Sequence, residues 1–351
     1  WSTITKKENT IVTNLSSTNS DRTSRNYYAK SAVNFDFKND RLLLNYDINY
    51  NKVSATTQGE GFGFTSNDAS KTKITRQDAV ATYQKRFEDK NKKLDFKFNF
   101  ARNENGFNLD SRIFNTAVLE NSSLQDYLNF KIDYSQGLTI LDKGKFSIGT
   151  LIDDLSFETQ SSGIMNLDYT RKTTAGYIEL QSTYKKFDFI LGGRAEDYNI
   201  TGKTNTTDLI PFKQFRFFPN ASLQYNFGPQ IFFNANYNKK ISLPSTSSLN
   251  PNNTNYQNQN VSYSGNPQLQ PTIFDNYEVK ISAFDYAFLG YNVSIAKNHV
   301  ANRVVLNNNL VSNISINVSE VKIHNFNFGF PLPYMLFTKG LKETLKFDVN
   351  P

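Results

Sequence analysis

The sequence predicts an all-β protein, an antiparallel up-and-down transmembrane β-barrel. Three observations predict it: apolar and polar residues alternate along many segments, these segments are long, and short connections alternate with long ones. From Leu42 to Tyr50, apolar residues occupy every even position, and Asn45, Asp47 and Asn49 lie between them. Because successive side chains of a strand point to opposite faces, this period of two indicates strands with one apolar and one polar face.

About fourteen such strands are predicted, each of about 9–12 residues. The clearest alternation begins at Leu94, Leu128, Phe215, Ile231, Tyr277 and Leu289. A tilted strand needs about 9–11 residues to cross the hydrocarbon core of a bilayer, whereas strands of soluble sheets average about 5–6 residues. The strand length therefore favours a membrane protein.

The connections between strands are of two kinds, which alternate. Short polar turns are predicted at Lys38-Asn39-Asp40, Glu88-Asp89-Lys90-Asn91, Lys185-Lys186 and Gly228-Pro229. Long loops rich in Asn, Ser, Thr and Gly are predicted over residues 53–75, 103–124, 155–171, 201–214, 243–272 and 299–317. Transmembrane barrels have short periplasmic turns and longer extracellular loops. The long loops are therefore expected to face the outside of the cell.

Composition excludes several classes of protein. The mean hydropathy is −0.55, and no run of about 18 apolar residues is present, which excludes a helical membrane protein. The chain has no cysteine and only two histidines, so no metal site, cofactor or Ser-His catalytic residue is predicted, and the protein is not expected to be an enzyme. The net charge of +7 comes from scattered Lys and Arg residues, which predicts no nucleic-acid partner.

Several local features lead to further expectations. Tyrosines near strand ends predict an interfacial aromatic girdle; they are Tyr50, Tyr134, Tyr184, Tyr198 and Tyr237. The apolar phase slips between Ile323 and Phe326, which predicts a bulge there. Pro219 lacks a ladder donor, so a bulge or a frayed strand end is expected at this residue. The pair Asp153-Asp154 is expected at an exposed loop edge.

The most specific motif lies between the strands that end near Ile241 and begin near Tyr277. It comprises Leu243-Pro244, Leu249-Asn250-Pro251, Gly265-Asn266-Pro267-Gln268-Leu269-Gln270-Pro271 and Asn276-Tyr277-Glu278-Val279. Upstream stand Thr174-Ala175-Gly176-Tyr177, Leu191-Gly192-Gly193-Arg194-Ala195-Glu196 and Phe218-Pro219-Asn220-Ala221-Ser222-Leu223. Together these runs resemble the barrel of TonB-dependent outer-membrane receptors, in particular the large family of Bacteroidota. Leu243 stands where that family usually has a basic residue, and Thr272 where it usually has Glu.

The resemblance implies a fold, a location and partners. Complete members of the family have twenty-two strands and an N-terminal plug, so residues 1–351 are expected to form a single partial barrel domain without a plug. The implied location is the outer membrane, and the implied function is energised uptake of a scarce solute such as a siderophore, a glycan or a peptide. The implied partners are the outer-membrane lipid bilayer, a TonB-type energising complex acting through a plug, and a surface lipoprotein.

Candidate site residues fall into two groups. The stretch from residue 250 to residue 260 holds six Asn, whose amides suit a hydroxyl-rich or peptide ligand, although such a stretch is also typical of an ordinary solvated loop. The ligand-binding candidates in and beside it are Asn250, Asn253, Tyr256, Asn260, Tyr263 and Asn266. The candidates for polar groups and ion pairs in the lumen, two on each of two strands, are Arg194, Glu196, Glu278 and Lys280.

Two other functions remain open from the sequence. One is a barrel of the same architecture that serves as a structural or assembly component of an outer-membrane complex and transports nothing. The other is a soluble surface adhesin, which the polarity of the chain would allow. The strict alternation of long and short connections argues against the adhesin, because sandwiches with Greek-key crossovers do not keep it.

Overall fold

The computed structural model describes residues 2–7, 10–61, 64–113, 115–139, 143–162, 165–251, 261–284, 287–307, 310–332 and 343–349. These residues form one sixteen-stranded sheet and one short helix. The strands are β1 Ser2–Lys7, β2 Thr10–Asp36, β3 Asp40–Gly61, β4 Phe64–Arg86, β5 Lys92–Ile113, β6 Asn115–Leu138, β7 Lys143–Ser161, β8 Leu167–Tyr184, β9 Phe187–Thr204, β10 Phe212–Gly228, β11 Ile231–Ser242, β12 Val261–Ser264, β13 Thr272–Ala283, β14 Ala287–Asn307, β15 Leu310–Leu332 and β16 Glu343–Val349. Helix α1 is Thr246–Leu249.

The topology confirms the predicted all-β, up-and-down architecture. Strands β1 to β11 each pair antiparallel with the next in sequence, and the order continues through β13, β14 and β15 to β16. The short strand β12 is the exception, because it pairs parallel with the edge of β15 at residues 311–314. Within the described ranges, no ladder joins β1 to β15 or β16.

The predicted strand lengths and four of the six predicted long loops were wrong. Strands β2 to β10 run for 17 to 27 residues, and β3 and β4 continue through most of residues 53–75. The stretches 103–124, 155–171 and 299–317 are likewise mostly strand, and strand residues also make up half of 201–214. In these stretches Asn, Ser and Thr residues lie on both faces, so the alternation of apolar and polar residues disappears. The strand pairing nevertheless continues through them, because its register is already fixed by the alternating part of each strand. Among the connections bounded by described strands, residues 243–271 form the longest, and residues 205–211 separate β9 from β10.

Each strand presents one apolar face and one polar face, as the alternation predicted. Register fixes the faces: Leu191 lies opposite Leu180 on β8 and Ala221 on β10. Exposed apolar side chains of neighbouring strands form a continuous band on one side, hereafter the apolar face; among them are Leu44, Phe98, Leu128, Ile148, Ile178, Leu191, Leu223, Val279, Leu289 and Phe326. The opposite side, hereafter the polar face, carries Asn, Asp, Lys, Arg and Gln at the same level. Two pairs of tilted tyrosine rings lie along one border of the apolar band. The ring centroids are 6.2 Å apart for Tyr27 and Tyr50 and 4.9 Å apart for Tyr237 and Tyr277.

Three local expectations are corrected by the structure. No bulge occurs at Ile323 or Phe326, because the β14–β15 register is continuous there; the irregularity is one missing pair at Asn298, whose φ is 52°. Tyr198 is not a girdle residue, since it is buried on the polar face. Asp153 and Asp154 lie inside β7, on opposite faces, and each forms an ion pair with a residue of β8.

Pro219 stands at a frayed ladder. It pairs with Gly193 of β9, but the β10–β11 ladder begins one residue later, at Asn220. The missing N–H of Pro219 is therefore not needed by β11, and beyond this point β10 and β11 pair only with their other neighbours. The described residues include no helix that is long and apolar enough to span a membrane.

Candidate functional site

A hydrophobic cluster occupies the polar face where β7 to β10 extend beyond the apolar band. Its wall residues come from all four strands and are Leu155, Phe157, Leu167, Tyr169, Tyr198, Ile200, Phe212 and Phe218. Tyr198 and Phe212 meet edge to face with ring centroids 5.7 Å apart. Burial raises the pKa of Tyr169, so its hydroxyl stays protonated well above neutral pH. An apolar cluster on an otherwise polar face requires a cover from elsewhere in the chain.

The described residues of the connection between β11 and β13, which are 243–251 and 261–271 and are hereafter called the strap, provide that cover. Leu249 at the end of α1 is 1% exposed and Leu269 is 5% exposed, and both belong to the cluster. Full burial of a Leu side chain stabilises by about 1.5–3 kcal/mol, so these two residues are the main apolar anchors of the strap. Ser245 is the N-cap of helix α1, and its hydroxyl accepts a hydrogen bond from the Ser248 amide.

The strap is tied to three separate parts of the sheet. Thr246 Oγ1 donates to Gln125 Oε1 on β6 over 2.7 Å. Gln268 Oε1 accepts from the Ile210 amide at 2.9 Å in the β9–β10 connection. On β15, the Asn317 side chain accepts from the Gln270 amide and donates to the Gln270 carbonyl, at 2.8 and 2.9 Å. Because these attachment points lie far apart in the strand order, the strap crosses the polar face at this end of the sheet.

A close backbone contact joins the two limbs of the strap. The Gly265 amide donates to the Asn250 carbonyl at 3.1 Å, and the Asn266 amide donates to the Ser248 carbonyl at 2.8 Å. A Cβ on Gly265 would lie 2.7 Å from the Ser248 carbonyl oxygen and closer still to that of Asn250. Glycine is needed here for close approach, and not for a positive φ.

The two departures from the family pattern have visible structural consequences. Leu243 packs against the hydrophobic cluster, a place where a charged side chain would lose hydration. Thr272 is buried, and its hydroxyl donates to the Asn298 carbonyl at 3.0 Å. The left-handed conformation of Asn298 turns that carbonyl out of the β14–β15 ladder.

A cluster of charged side chains lies next to the hydrophobic cluster on the polar face. Arg194 Nε and Glu196 Oε1 are 2.6 Å apart, and Arg171 and Asp153 are 3.2 Å apart. The Arg194 guanidinium also lies over the Phe218 ring, 5.8 Å from its centroid, which links the two clusters. Glu196 is 3% exposed.

The charged cluster has hydrogen-bonding capacity that no described residue uses. Its buried atoms without a hydrogen-bond partner among the described residues are Asp153 Oδ1, Arg171 Nε, Thr173 Oγ1, Glu196 Oε2 and Arg216 Nε. Buried polar groups are normally paired, because an unpaired one costs about 1–3 kcal/mol. A concentration of five such atoms in one part of the wall is typical of a site that binds a further polar group.

The predicted site residues fall in different surroundings. The side-chain amide of Asn266 donates through Nδ2 to the Ser315 carbonyl at 3.0 Å and accepts at Oδ1 from the Gln268 backbone amide at 2.9 Å, so it fixes the strap. Asn250 contributes its backbone to the same fold. Asn253, Tyr256 and Asn260 lie outside the described residues, as does the side chain of Tyr263. The backbone of Tyr263, in β12, pairs with Asn313 of β15.

The four lumenal candidates do not form one network. Arg194 and Glu196 are paired in the charged cluster, whereas Lys280 Nζ lies 4.8 Å from the centroid of the Phe288 ring. Glu278 accepts a long hydrogen bond of 3.4 Å from Asn236. Sequence reasoning missed Gln268, Gln270 and Asn317, which attach the strap. The flanking Pro267 and Pro271 were a signal for an ordered loop, but only the folded sheet shows its partners.

Family comparison decides what kind of sheet this is. The profile of the Outer membrane protein beta-barrel family matches residues 85–350, about three quarters of the chain. The chain belongs to this family. Its location is therefore the outer membrane, its apolar face is the lipid-facing side of the barrel wall, and its polar face lines the lumen. No curated protein sequence matches the chain.

Three solved structures are examples of the fold that this chain shares. FpvA of P. aeruginosa bound to heterologous pyoverdines aligns with a TM-score of 0.55 at 12% identity, over 94% of this chain and 55% of FpvA. The unliganded ferric citrate transporter FecA aligns with a TM-score of 0.55 at 11% identity, over 93% of this chain and 56% of FecA. The hemophore receptor HasR of Serratia marcescens, in complex with HasA and heme, aligns with a TM-score of 0.55 at 10% identity, over 89% of this chain and 60% of HasR. The chain thus spans little more than half the length of these receptors.

Proposed function

We propose that this chain forms part of the barrel wall of a transporter that takes up a scarce solute, such as a siderophore, a glycan or a peptide, across the outer membrane. The observation that carries the proposal is the strap, which lies against the lumenal side of the wall and beside a charged cluster with unused hydrogen-bonding capacity. A barrel that served only as a scaffold would gain nothing from placing these groups inside the lumen.

The strap narrows the lumen at the extracellular mouth. It reaches β6, the β9–β10 connection and β15 through side-chain hydrogen bonds of 2.7 to 3.2 Å. In the proposed mechanism this fixed element forms part of the wall against which a solute is held. The six Asn residues between 250 and 260 belong to the same connection and remain the proposed ligand contacts.

The charged cluster lies on the proposed route below the mouth. The guanidinium groups of Arg171, Arg194 and Arg216 outnumber the carboxylates of Asp153 and Glu196 by one. Groups of both signs have atoms free to bond. Such a surface suits a polar solute or the polar side of a plug. In the proposed cycle, a TonB-type complex moves a plug away from this wall with energy from the inner membrane, and a surface lipoprotein delivers the solute.

An accumulation assay tests the proposal. Cells carrying the full-length protein and cells lacking it are offered three labelled probes in turn: a ferric siderophore, an oligosaccharide and a short peptide. We expect one probe to accumulate only in cells with the protein, and we expect a proton uncoupler to reduce that accumulation to the level of surface binding. Failure of all three probes, with recovery of the protein in a stoichiometric complex, would favour the structural or assembly role.

A further inference from the structure

Three cations stand side by side on the apolar face, just beyond the lipid-facing band. Arg25 lies opposite Lys52 in the β2–β3 ladder, and Lys52 lies opposite Lys73 in the β3–β4 ladder. Lys71, two positions further along β4, points to the same side. Arg25, Lys71 and Lys73 are exposed, and Lys52 is half-buried. We call these four residues the basic row.

The basic row differs from several other cations of this face. Elsewhere on the same side, four cations lie beside a carboxylate of the neighbouring strand, at 2.7 to 3.8 Å; these pairs are Arg102–Asp126, Asp154–Lys172, Asp168–Lys203 and Lys239–Asp275. None of the ion pairs found among the described residues involves the basic row. The nearest outward carboxylates are both on β5 and both diagonal to the row: Glu104 to Lys73, on the Arg102 side, and Asp110 to Lys71.

Like charges directly opposite one another destabilise a sheet. Three of them in one line across three strands therefore repel each other unless an anion lies between them. The position of the row indicates where that anion comes from. Tyr27 and Tyr50 form the neighbouring outward pair on β2 and β3. Their ring centroids are 6.2 Å apart, and they lie at the border of the apolar band. Aromatic side chains at such a border sit at the level of lipid headgroups.

The row lies two residues beyond these tyrosines on each strand, or about 7 Å. Below the tyrosines, Ile48 and Leu44 continue the apolar band toward the middle of the membrane. One molecule could therefore contact both regions, with acyl chains on the apolar band and an anionic headgroup on the basic row. The long strand extensions begin at this border, which places the row in the outer leaflet.

We infer that the basic row is a binding site for the phosphate groups of an anionic outer-leaflet lipid. Lys and Arg side chains hold a phosphate through charge-assisted hydrogen bonds, and Arg25 can do so with two parallel bonds. A cluster of cations next to a membrane attracts anionic lipid in proportion to their number. The site is separate from the lumenal strap, so it does not depend on the transport function.

Native mass spectrometry of the full-length protein in detergent tests the site. The probes are a glycolipid that carries two phosphates, the same glycolipid after dephosphorylation, and inorganic phosphate. We expect the unaltered protein to bind the phosphorylated lipid at least about tenfold more tightly than the dephosphorylated one. The triple variant Arg25→Gln, Lys52→Gln, Lys73→Gln should lose this preference.

The matched control is the triple variant Lys172→Gln, Lys203→Gln, Lys239→Gln, which removes the same charge from paired cations of the same face. It should keep the preference. Equal binding of the two lipids by the unaltered protein would overturn the inference without recourse to any variant. Equal loss of the lipid preference in the two triple variants would show that the overall charge of the protein, and not the basic row, causes the preference. Binding of inorganic phosphate as tight as that of the lipid would show a site for free anions instead.

Discussion

Replacement of Leu191 by Arg should lower the free energy of unfolding in a bilayer by about 2–4 kcal/mol, because it places a charge near the middle of the lipid-facing band. Leu191 is 53% exposed on the apolar face and is the central one of five outward positions of β9 between Phe187 and Ala195. The measurement is urea unfolding of the barrel in lipid vesicles, followed by heat-modifiable migration on gels.

The matched control for this substitution is the adjacent residue. Ile190 points to the lumen, between Gln181 of β8 and Ser222 of β10. Ile190→Arg carries the same charge at the same depth, but water and polar neighbours can solvate it, so we expect a loss of about 1 kcal/mol or less. Similar losses for the two variants would mean that the faces are not assigned as described.

Replacement of Leu249 by Asp should release the strap from the wall. The substitution removes a side chain that is 1% exposed and puts a carboxylate into the hydrophobic cluster, at a cost of about 3 kcal/mol or more. Hydrogen exchange at the Gly265 and Asn266 amides reports on the strap, because both amides donate to its first limb. We expect their exchange to accelerate at least about tenfold while the β8 and β9 amides keep their protection.

Ile210→Asp is the control for the strap experiment. Ile210 is 58% exposed and aliphatic, and it lies in the connection that the strap contacts. The same charge there remains in water, so the Gly265 and Asn266 amides should stay protected. Unchanged protection in Leu249→Asp as well would show that the hydrophobic cluster does not hold the strap.

The sequence predicted the fold well because barrel strands carry a strong local signal. At Leu42 to Tyr50, one face meets lipid and the other meets water, so the residue types must alternate. Above the membrane both faces meet water, and nothing local distinguishes a strand such as residues 53–61 from a polar loop. Register alone extends the ladder there, and register is a property of two strands rather than one.

The candidate site was less predictable, because its contacts join distant parts of the chain. Pro267, Pro271 and Gly265 mark an ordered connection, but the hydrogen bond from Thr246 to Gln125 spans 121 residues. Tyr198 looked like a girdle residue because a Tyr near a strand end is typical of one; only the pairing with Thr173 places it on the lumenal side. The basic row likewise exists only once β2, β3 and β4 are in register.

The central claim is that one face of this sheet meets lipid and the other lines an aqueous lumen. The absence of cysteine makes it directly testable, since single cysteines at residues 277–282 can carry a nitroxide without background labelling. In the reconstituted full-length protein, residues 277, 279 and 281 should collide mainly with oxygen dissolved in lipid, and residues 278, 280 and 282 mainly with a water-soluble nickel complex. High accessibility to the nickel complex at all six positions would contradict the claim.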